Sequence, residues 1–150
     1  MTDDRFDDDL HYCWENRVRF EETDSQGVVF YGNYVTYQDE TFSELLREVG
    51  YDYHTLERAG WDIHVVHVDL DYRDSAVFDD WLINGMRIDA IRNSSMDFEY
   101  VCRKQSDGSV VADGGVTHVA VDAETGESTR IPDAFREAVV DYQDVPPDPA

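Results

Sequence analysis

Hydrophobic and polar positions along this chain follow two rhythms, alternation and helical spacing, and the switches between them mark its elements. Tyr12, Trp14, Asn16, Val18 and Phe20 alternate with Cys13, Glu15, Arg17, Arg19 and Glu21, which predicts an opening strand with one fairly apolar face. From residue 34 the spacing lengthens. Tyr34, Gln38, Thr41, Phe42, Leu45, Leu46 and Val49 recur at helical intervals, and Asp39, Glu40, Ser43, Arg47 and Glu48 fall largely opposite. Gly50 ends that helix, because glycine readily takes the left-handed conformation of a helix stop. A short second helix is predicted over Tyr53 to Ala59, ending at Gly60.

The remainder reads as strands. Trp61 to Arg73 is long and rich in Val and Ile, and Trp81 to Ile91 follows with Leu82, Met86 and Ile88 on one side. Met96, Phe98, Tyr100 and Cys102 alternate against Asp97, Glu99 and Arg103, a strand wet on one face. Asp107-Gly108 is a hairpin turn leading to a strand from Val110 to Val121. After a turn over Asp122 to Gly126, Ile131-Pro132-Asp133 introduces a short terminal helix. Strand, long helix, then consecutive strands predicts an α+β fold in which an antiparallel sheet wraps around one helix. No internal repeat or linker interrupts it. The expected organisation is one domain over 11–143, a mobile acidic tail over 1–10 and a second mobile tail over 144–150.

Composition sharpens the reading at one point, charge. With 150 residues and 41% hydrophobic content the chain can bury a core, yet its net charge is −22. Acidic residues interleave with the apolar patterns, so the charge coats an ordered protein. Of twelve basic residues only Lys104 is a lysine. An acid-coated, lysine-poor protein suits the interior of an organism that keeps molar salt, where the Debye length falls to about 3 Å. There is no basic stripe to displace counterions from phosphates, so no nucleic-acid partner is expected. No apolar run approaches the ~20 residues of a membrane span and the acidic N-terminus is unlike a signal peptide, so the expected location is cytoplasmic.

Candidate chemistry centres on Thr23 to Tyr34, TDSQGVVFYGNY. Asp24 opens a short polar turn closed by Gly27, and the apolar run Val28 to Tyr31 leads through Gly32-Asn33 into the long helix. A helix start offers unpaired N–H groups and a positive dipole end, which polarise a carbonyl oxygen. A carboxylate held beside it can attack that carbonyl or activate water against it. On spacing alone, a solvated Asp turn before a capped helix accounts for the pattern equally well. Cys13 and Cys102 lack a C-x-x-C partner and read as two reduced, half-buried thiols. His64 and His67, three apart in a strand pattern, are expected on opposite faces, and no metal is expected.

The same stretch resembles the 4-hydroxybenzoyl-CoA-type and Tol-Pal-linked acyl-CoA thioesterases of the hot-dog superfamily. Their hallmark of Asp, two residues, Gly, a β-branched pair, aromatics and a final aromatic corresponds to Asp24, Gly27, Val28-Val29, Phe30-Tyr31 and Tyr34. The likeness continues through Asp71-Tyr72-Arg73-Asp74-Ser75-Ala76, through Arg92-Asn93-Ser94-Ser95 before Met96 and Phe98, and to Ile131-Pro132. It covers roughly residues 12–140. Two positions depart from the Tol-Pal-linked pattern: Tyr31 stands where a His is usual, and Phe20 where a Tyr is usual. A mechanism that needs those side chains does not transfer.

The resemblance implies a hot-dog fold and hydrolysis of an acyl-CoA to a carboxylate and free CoA. Asp24 would be the nucleophile, through a mixed anhydride, or the general base for water. The Tyr31 backbone N–H would hold the thioester oxygen. Water is the second substrate, so no cofactor is expected beyond the coenzyme A carried by the substrate. Gly27 would let the turn fold close to the acyl chain, or is a plain turn glycine. Val28 joins the substrate-facing set, and Asn33 is a helix cap or a substrate-facing amide. Arg92, Ser94 and Ser95 would meet the pantetheine or nucleotide. Glu40 and Glu44 belong to the wet helix face. The site of such a family lies between subunits, which implies a homodimer or homotetramer. A noncatalytic acyl-CoA-binding or regulatory hot-dog protein is the alternative, and acyl-carrier-protein thioesters are a further substrate option.

Overall fold

The computed structural model describes residues 9–148. Its strands are β1 (His11–Arg17), β2 (Trp61–Tyr72), β3 (Trp81–Ile91), β4 (Ser95–Lys104) and β5 (Val110–Asp122), and its helices are α1 (Asn33–Val49), α2 (Tyr53–Ala59) and α3 (Asp133–Tyr142). The strands form one antiparallel sheet in the order β1-β3-β4-β5-β2. α1 packs on the sheet, chiefly against β3 and β1, in the hot-dog arrangement. Its buried face is Tyr34, Tyr37, Gln38, Thr41, Leu45 and Leu46; Tyr37 joins the stripe predicted by the helical spacing, while Phe42 and Val49 of that stripe are only partly buried. Gly50 stops the helix at φ 97°, its N–H donating to the Leu46 and Arg47 carbonyls. The core between α1 and the sheet includes Met86, Ile88, Met96, Phe98, Tyr100, Val111 and Ala112.

Two local departures from the expected pattern position the functional region. β1 ends at Arg17, and Phe20–Glu22 forms a 3-10 turn that leaves Phe20 exposed. The strand stops because Val18 pairs instead with Asp79 and Asp80, and the Arg19 N–H is captured by the Glu22 carboxylate at 2.9 Å. The second departure is a bulge in β2 between Val65 and His67. One extra residue reverses the phase of the alternation. His64 then pairs with Val119 and His67 with Thr117, so the two histidines share a face, against the expectation of opposite faces. Val65, Val68 and Tyr72 consequently share the other face. Among the described residues no group of His, Cys, Asp or Glu is placed to hold a metal ion.

Both cysteines are free, and burial pushes each thiol up to about 12, which keeps them protonated and inert at neutral pH. Residues 144–148 lie along β3, where Asp148 N–H donates to the Asp89 carbonyl and Val145 accepts from Arg87 and Gln143. The expected acidic tail lies outside the described residues up to Asp8, as do Pro149 and Ala150.

His118, on β5, is fully buried between Phe42 and Phe98, and burial lowers its pKa to about 4. The folded chain therefore refuses a proton that the unfolded chain accepts below its ordinary value of about 6.5. Stability should fall as pH drops from about 6.5 to about 4 and level off below, with up to about 3 kcal/mol attributable to this residue. Melting curves of the wild type and His118→Phe across that window check it. The wild type should lose more stability than the variant, and parallel curves would contradict the assignment.

Candidate active site

The turn before α1 is organised by its first carboxylate. Asp24 N–H donates to the Val28 carbonyl and Gly27 N–H donates to the Asp24 carbonyl, both at 2.9 Å. The Asp24 side-chain Oδ1 accepts from Gln26 N–H at 2.9 Å, an Asx turn that orients the carboxylate. Gly27 takes φ 80°, the left-handed conformation that makes glycine the fitting residue there. Thr23 pairs with Val29 and Val28 with Val77, so the turn is a short ribbon fastened to the segment before β3.

Glu22 clamps this ribbon to the helix. Its carbonyl accepts from Phe30 N–H at 2.9 Å and from the Asn33 side-chain amide at 2.8 Å. Its carboxylate accepts from the Tyr37 hydroxyl at 2.9 Å. Motif reading missed this role, since nothing in a solvent-pattern Glu signals partners eleven and fifteen residues downstream. Asn33 is the first residue of α1 and Gly32 stands at the cap position, so the side chain of Asn33 is a brace to Glu22 and not a helix cap.

Asp24, Val28, Tyr31, Tyr34, Tyr72, Asp74 and Ser75 surround a pocket of about 160 Å³ at this helix start. Asp24 is half-buried and Tyr31 is exposed. The Tyr31 N–H makes no backbone hydrogen bond among the described residues, while its carbonyl accepts from the Tyr72 hydroxyl at 3.1 Å and Tyr34 N–H at 3.3 Å. Burial raises the pKa of the Tyr34 hydroxyl, and of Tyr72 to a lesser degree, so both stay protonated donors. Asp74 is held below the usual carboxylate range by the Ser75 N–H and then by Lys104, 3.4 Å away. The residues around the pocket thus bring together a half-buried aspartate, a peptide just before a helix start whose N–H has no backbone partner among the described residues, and tyrosine walls. That set suits attack on, or hydration of, a polarised carbonyl.

Of the residues singled out in the sequence, Asp24, Val28 and Tyr31 meet at this pocket, with Gly27 at the turn beside it. Arg92, Ser94 and Ser95 do not join them within one chain. They lie at the turn between β3 and β4, and β3 separates that turn from the Asp24 side by roughly 30 Å of strand. Arg92 is engaged there, paired with both oxygens of Asp97 at 2.7 and 2.9 Å and donating to Ser95 Oγ at 2.9 Å. Ser94 accepts from Ala120 N–H through its carbonyl. Glu40 is exposed and Glu44 pairs with Arg47 at 2.6 Å, as befits the wet side of α1. Tyr72 orders the Tyr31 peptide, a contact between residues 41 apart that its place at the end of a strand does not signal.

The profile of the Thioesterase-like superfamily matches residues 18–139. A curated candidate esterase of Aquifex aeolicus is 26% identical over 132 residues, spanning 88% of this chain and 100% of that protein. Among solved structures, a gentisyl-coenzyme A thioesterase matches with a TM-score of 0.76 at 27% identity, over 85% of this chain and 98% of that one. A 1,4-dihydroxy-2-naphthoyl-CoA thioesterase from Synechocystis matches with a TM-score of 0.77 at 19% identity, over 85% of this chain and 94% of that one, a likeness of fold.

Proposed function

This chain belongs to the thioesterase-like superfamily, and we propose that it hydrolyses an acyl-CoA thioester to a carboxylate and free CoA. The observation that carries the reading is that Asp24 and Tyr31 line one pocket just before α1, and that the Tyr31 N–H makes no backbone hydrogen bond among the described residues. The gentisyl-coenzyme A thioesterase at 27% identity supports a CoA thioester as the substrate class. In this mechanism the thioester carbonyl oxygen sits at the Tyr31 N–H. Asp24 either adds to the carbonyl carbon or removes a proton from the water that does. Negative charge gathers on the oxygen and is held by the N–H, a donor typically worth about 10²–10³ in rate. Collapse expels the CoA thiolate, which leaves as the thiol once protonated. Water supplies the second oxygen of the carboxylate, directly or by opening a mixed anhydride, and no cofactor is required. Val28 and Gly27 line and shape the approach of the acyl chain.

A panel of acyl-CoA thioesters with free-thiol detection, run in high salt, tests the activity. Release of thiol from at least one acyl-CoA is the expected result. Binding without release from any member would favour the acyl-CoA-binding alternative.

The assembly proposed is a homodimer or homotetramer. β2 is an edge strand that exposes Val65, Val66 and Val68, an unpaired apolar edge of the kind that monomers cover or blunt. In such an assembly Arg92, Ser94 and Ser95 could serve a neighbouring subunit's site, since their own is distant. The proposed setting is the cytoplasm of a salt-accumulating cell. No helix among the described residues is long and apolar enough to cross a membrane. Many arginines are held in local pairs, such as Arg73 with Asp113, Arg92 with Asp97 and Arg17 with Asp79, which leaves the acidic surplus uncompensated. Melting temperature and oligomerisation should therefore rise from millimolar to molar KCl as repulsion is screened. A flat or falling melting temperature would remove the halophilic reading.

A further inference from the structure

The turn that carries Asp24 and the peptide that carries the Tyr31 N–H share one closing pair. Thr23 bridges Val29, and the next rung outward is Phe30 N–H donating to the Glu22 carbonyl at 2.9 Å. Asp24 follows Glu22 by two residues, and the Tyr31 N–H lies in the same peptide plane as the Phe30 carbonyl. That carbonyl is itself held, accepting from Asn33 N–H at 2.9 Å. Both groups of the proposed mechanism therefore hang on the Glu22–Phe30 rung, one from each side of the ribbon.

The Glu22 side chain ties this rung to the helix. One carboxylate oxygen, Oε1, accepts from Arg19 N–H and from the Tyr37 hydroxyl, each at 2.9 Å. Tyr37 stands one turn inside α1 and is 1% exposed, its ring edge-on to Tyr34 at 5.6 Å and tilted against Trp14 at 6.2 Å. A ring enclosed in close-packed core has little room to move, so its hydroxyl is a fixed point. The Glu22 carboxylate, 16% exposed, is pinned to that point and moves only with the helix. Without this bond the rung reaches α1 through the Asn33 side-chain amide and the chain itself.

Resting on the thioesterase reading, we propose that Glu22 and Tyr37 are positioning residues for the reaction. Their bond sets the Asp24 carboxylate against the Tyr31 N–H, so that one thioester carbonyl meets both. Neither residue lines the pocket of Asp24, so each acts through the ribbon. Attack depends steeply on distance, and a misplacement of about 1 Å costs up to about 10²-fold in rate. A loosened ribbon leaves the pocket walls in place, so the loss falls on kcat and not on KM. The role belongs to the hydrogen bond and not to the charge of Glu22, because a single oxygen accepts both bonds. Glutamine at this position keeps such an oxygen.

The test measures kcat and KM with the acyl-CoA that the wild type cleaves fastest, well below the melting temperature of every variant. Tyr37→Phe removes one hydroxyl and retains the ring contacts with Tyr34 and Trp14. It is expected to lower kcat about tenfold or more with KM within about twofold. Glu22→Ala should fall at least as far. Glu22→Gln, whose Oε1 still accepts from Arg19 and Tyr37, should stay within about threefold of wild type. Both changes sever one link, so Glu22→Ala combined with Tyr37→Phe should be no slower than Glu22→Ala alone. A role in stability alone predicts lowered melting temperatures at unchanged kcat, and that result overturns the proposal. So does a Glu22→Gln variant as slow as Glu22→Ala, which would assign the effect to charge. If Tyr37→Phe does not fold, the ratio between Glu22→Gln and Glu22→Ala decides. A wild type that releases thiol from no acyl-CoA removes the thioesterase reading and this proposal together. An active wild type with unaffected variants removes this proposal alone.

Discussion

Replacing Asp24 with asparagine is expected to lower thioester turnover by about 10²-fold or more, the scale of a lost nucleophile or general base. Asn keeps the size of the side chain, and its carbonyl oxygen can still accept from Gln26 N–H, so the Asx turn is retained. The ribbon stays fastened by the main-chain bonds Asp24 to Val28 and Phe30 to Glu22. What disappears is the charge and the nucleophilic oxygen. Glu40→Gln and Glu44→Gln are the controls, because one side chain is exposed and the other pairs with Arg47 on the surface of α1. Both should stay within about twofold of wild type, since exposed ion pairs contribute little. Abolition of activity by either helix substitution, with Asp24→Asn near full activity, would move the base onto the helix.

The second large effect is structural and concerns the wall of the site. Gly114 of β5 faces Leu70 of β2, and a Cβ there would stand 2.1 Å from the Asp69 carbonyl oxygen and 2.9 Å from the Leu70 Cα. These are backbone atoms that no rotamer change can move aside. Gly114→Ala must push β2 away from β5 and should cost about 3 kcal/mol or more. Neighbouring Gly115 has room, its Cβ meeting nothing closer than 3.4 Å, so Gly115→Ala should cost less than about 1 kcal/mol. β2 carries Tyr72, which borders the Asp24 pocket, so activity should fall with the displaced strand even where the protein remains folded. Melting curves of the two variants separate the cases. Equal melting temperatures would show that β2 and β5 are less closely apposed than described.

The sequence makes the elements plain where one period dominates. α1 was visible because a period of about 3.6 persists over four turns and Gly50 closes it. β3, β4 and β5 were visible because their alternation is bounded by turns such as Asp107-Gly108. The bulge in β2 was hidden, since its only signal is the adjacent pair Val65-Val66 breaking the alternation, and such a pair also fits a strand buried on both faces. The Asp24 turn could be read because its residues are contiguous. Its supports could not, because Glu22, Tyr37 and Tyr72 meet it only after the sheet has formed. Arg92, Ser94 and Ser95 show the converse. They resemble a binding hairpin in sequence, yet the length of β3 carries them to the far end of their own chain.

In the proposed mechanism Asp24 performs chemistry on a bound acyl-CoA and does not merely help to bind it. Calorimetric binding and free-thiol release, measured on the wild type and Asp24→Asn with the same acyl-CoA in molar KCl, separate these roles most directly. The variant is expected to bind within a few-fold of the wild type while its thiol release falls by about 10²-fold or more. A variant that releases CoA at the wild-type rate, or that loses binding and turnover together, would contradict it.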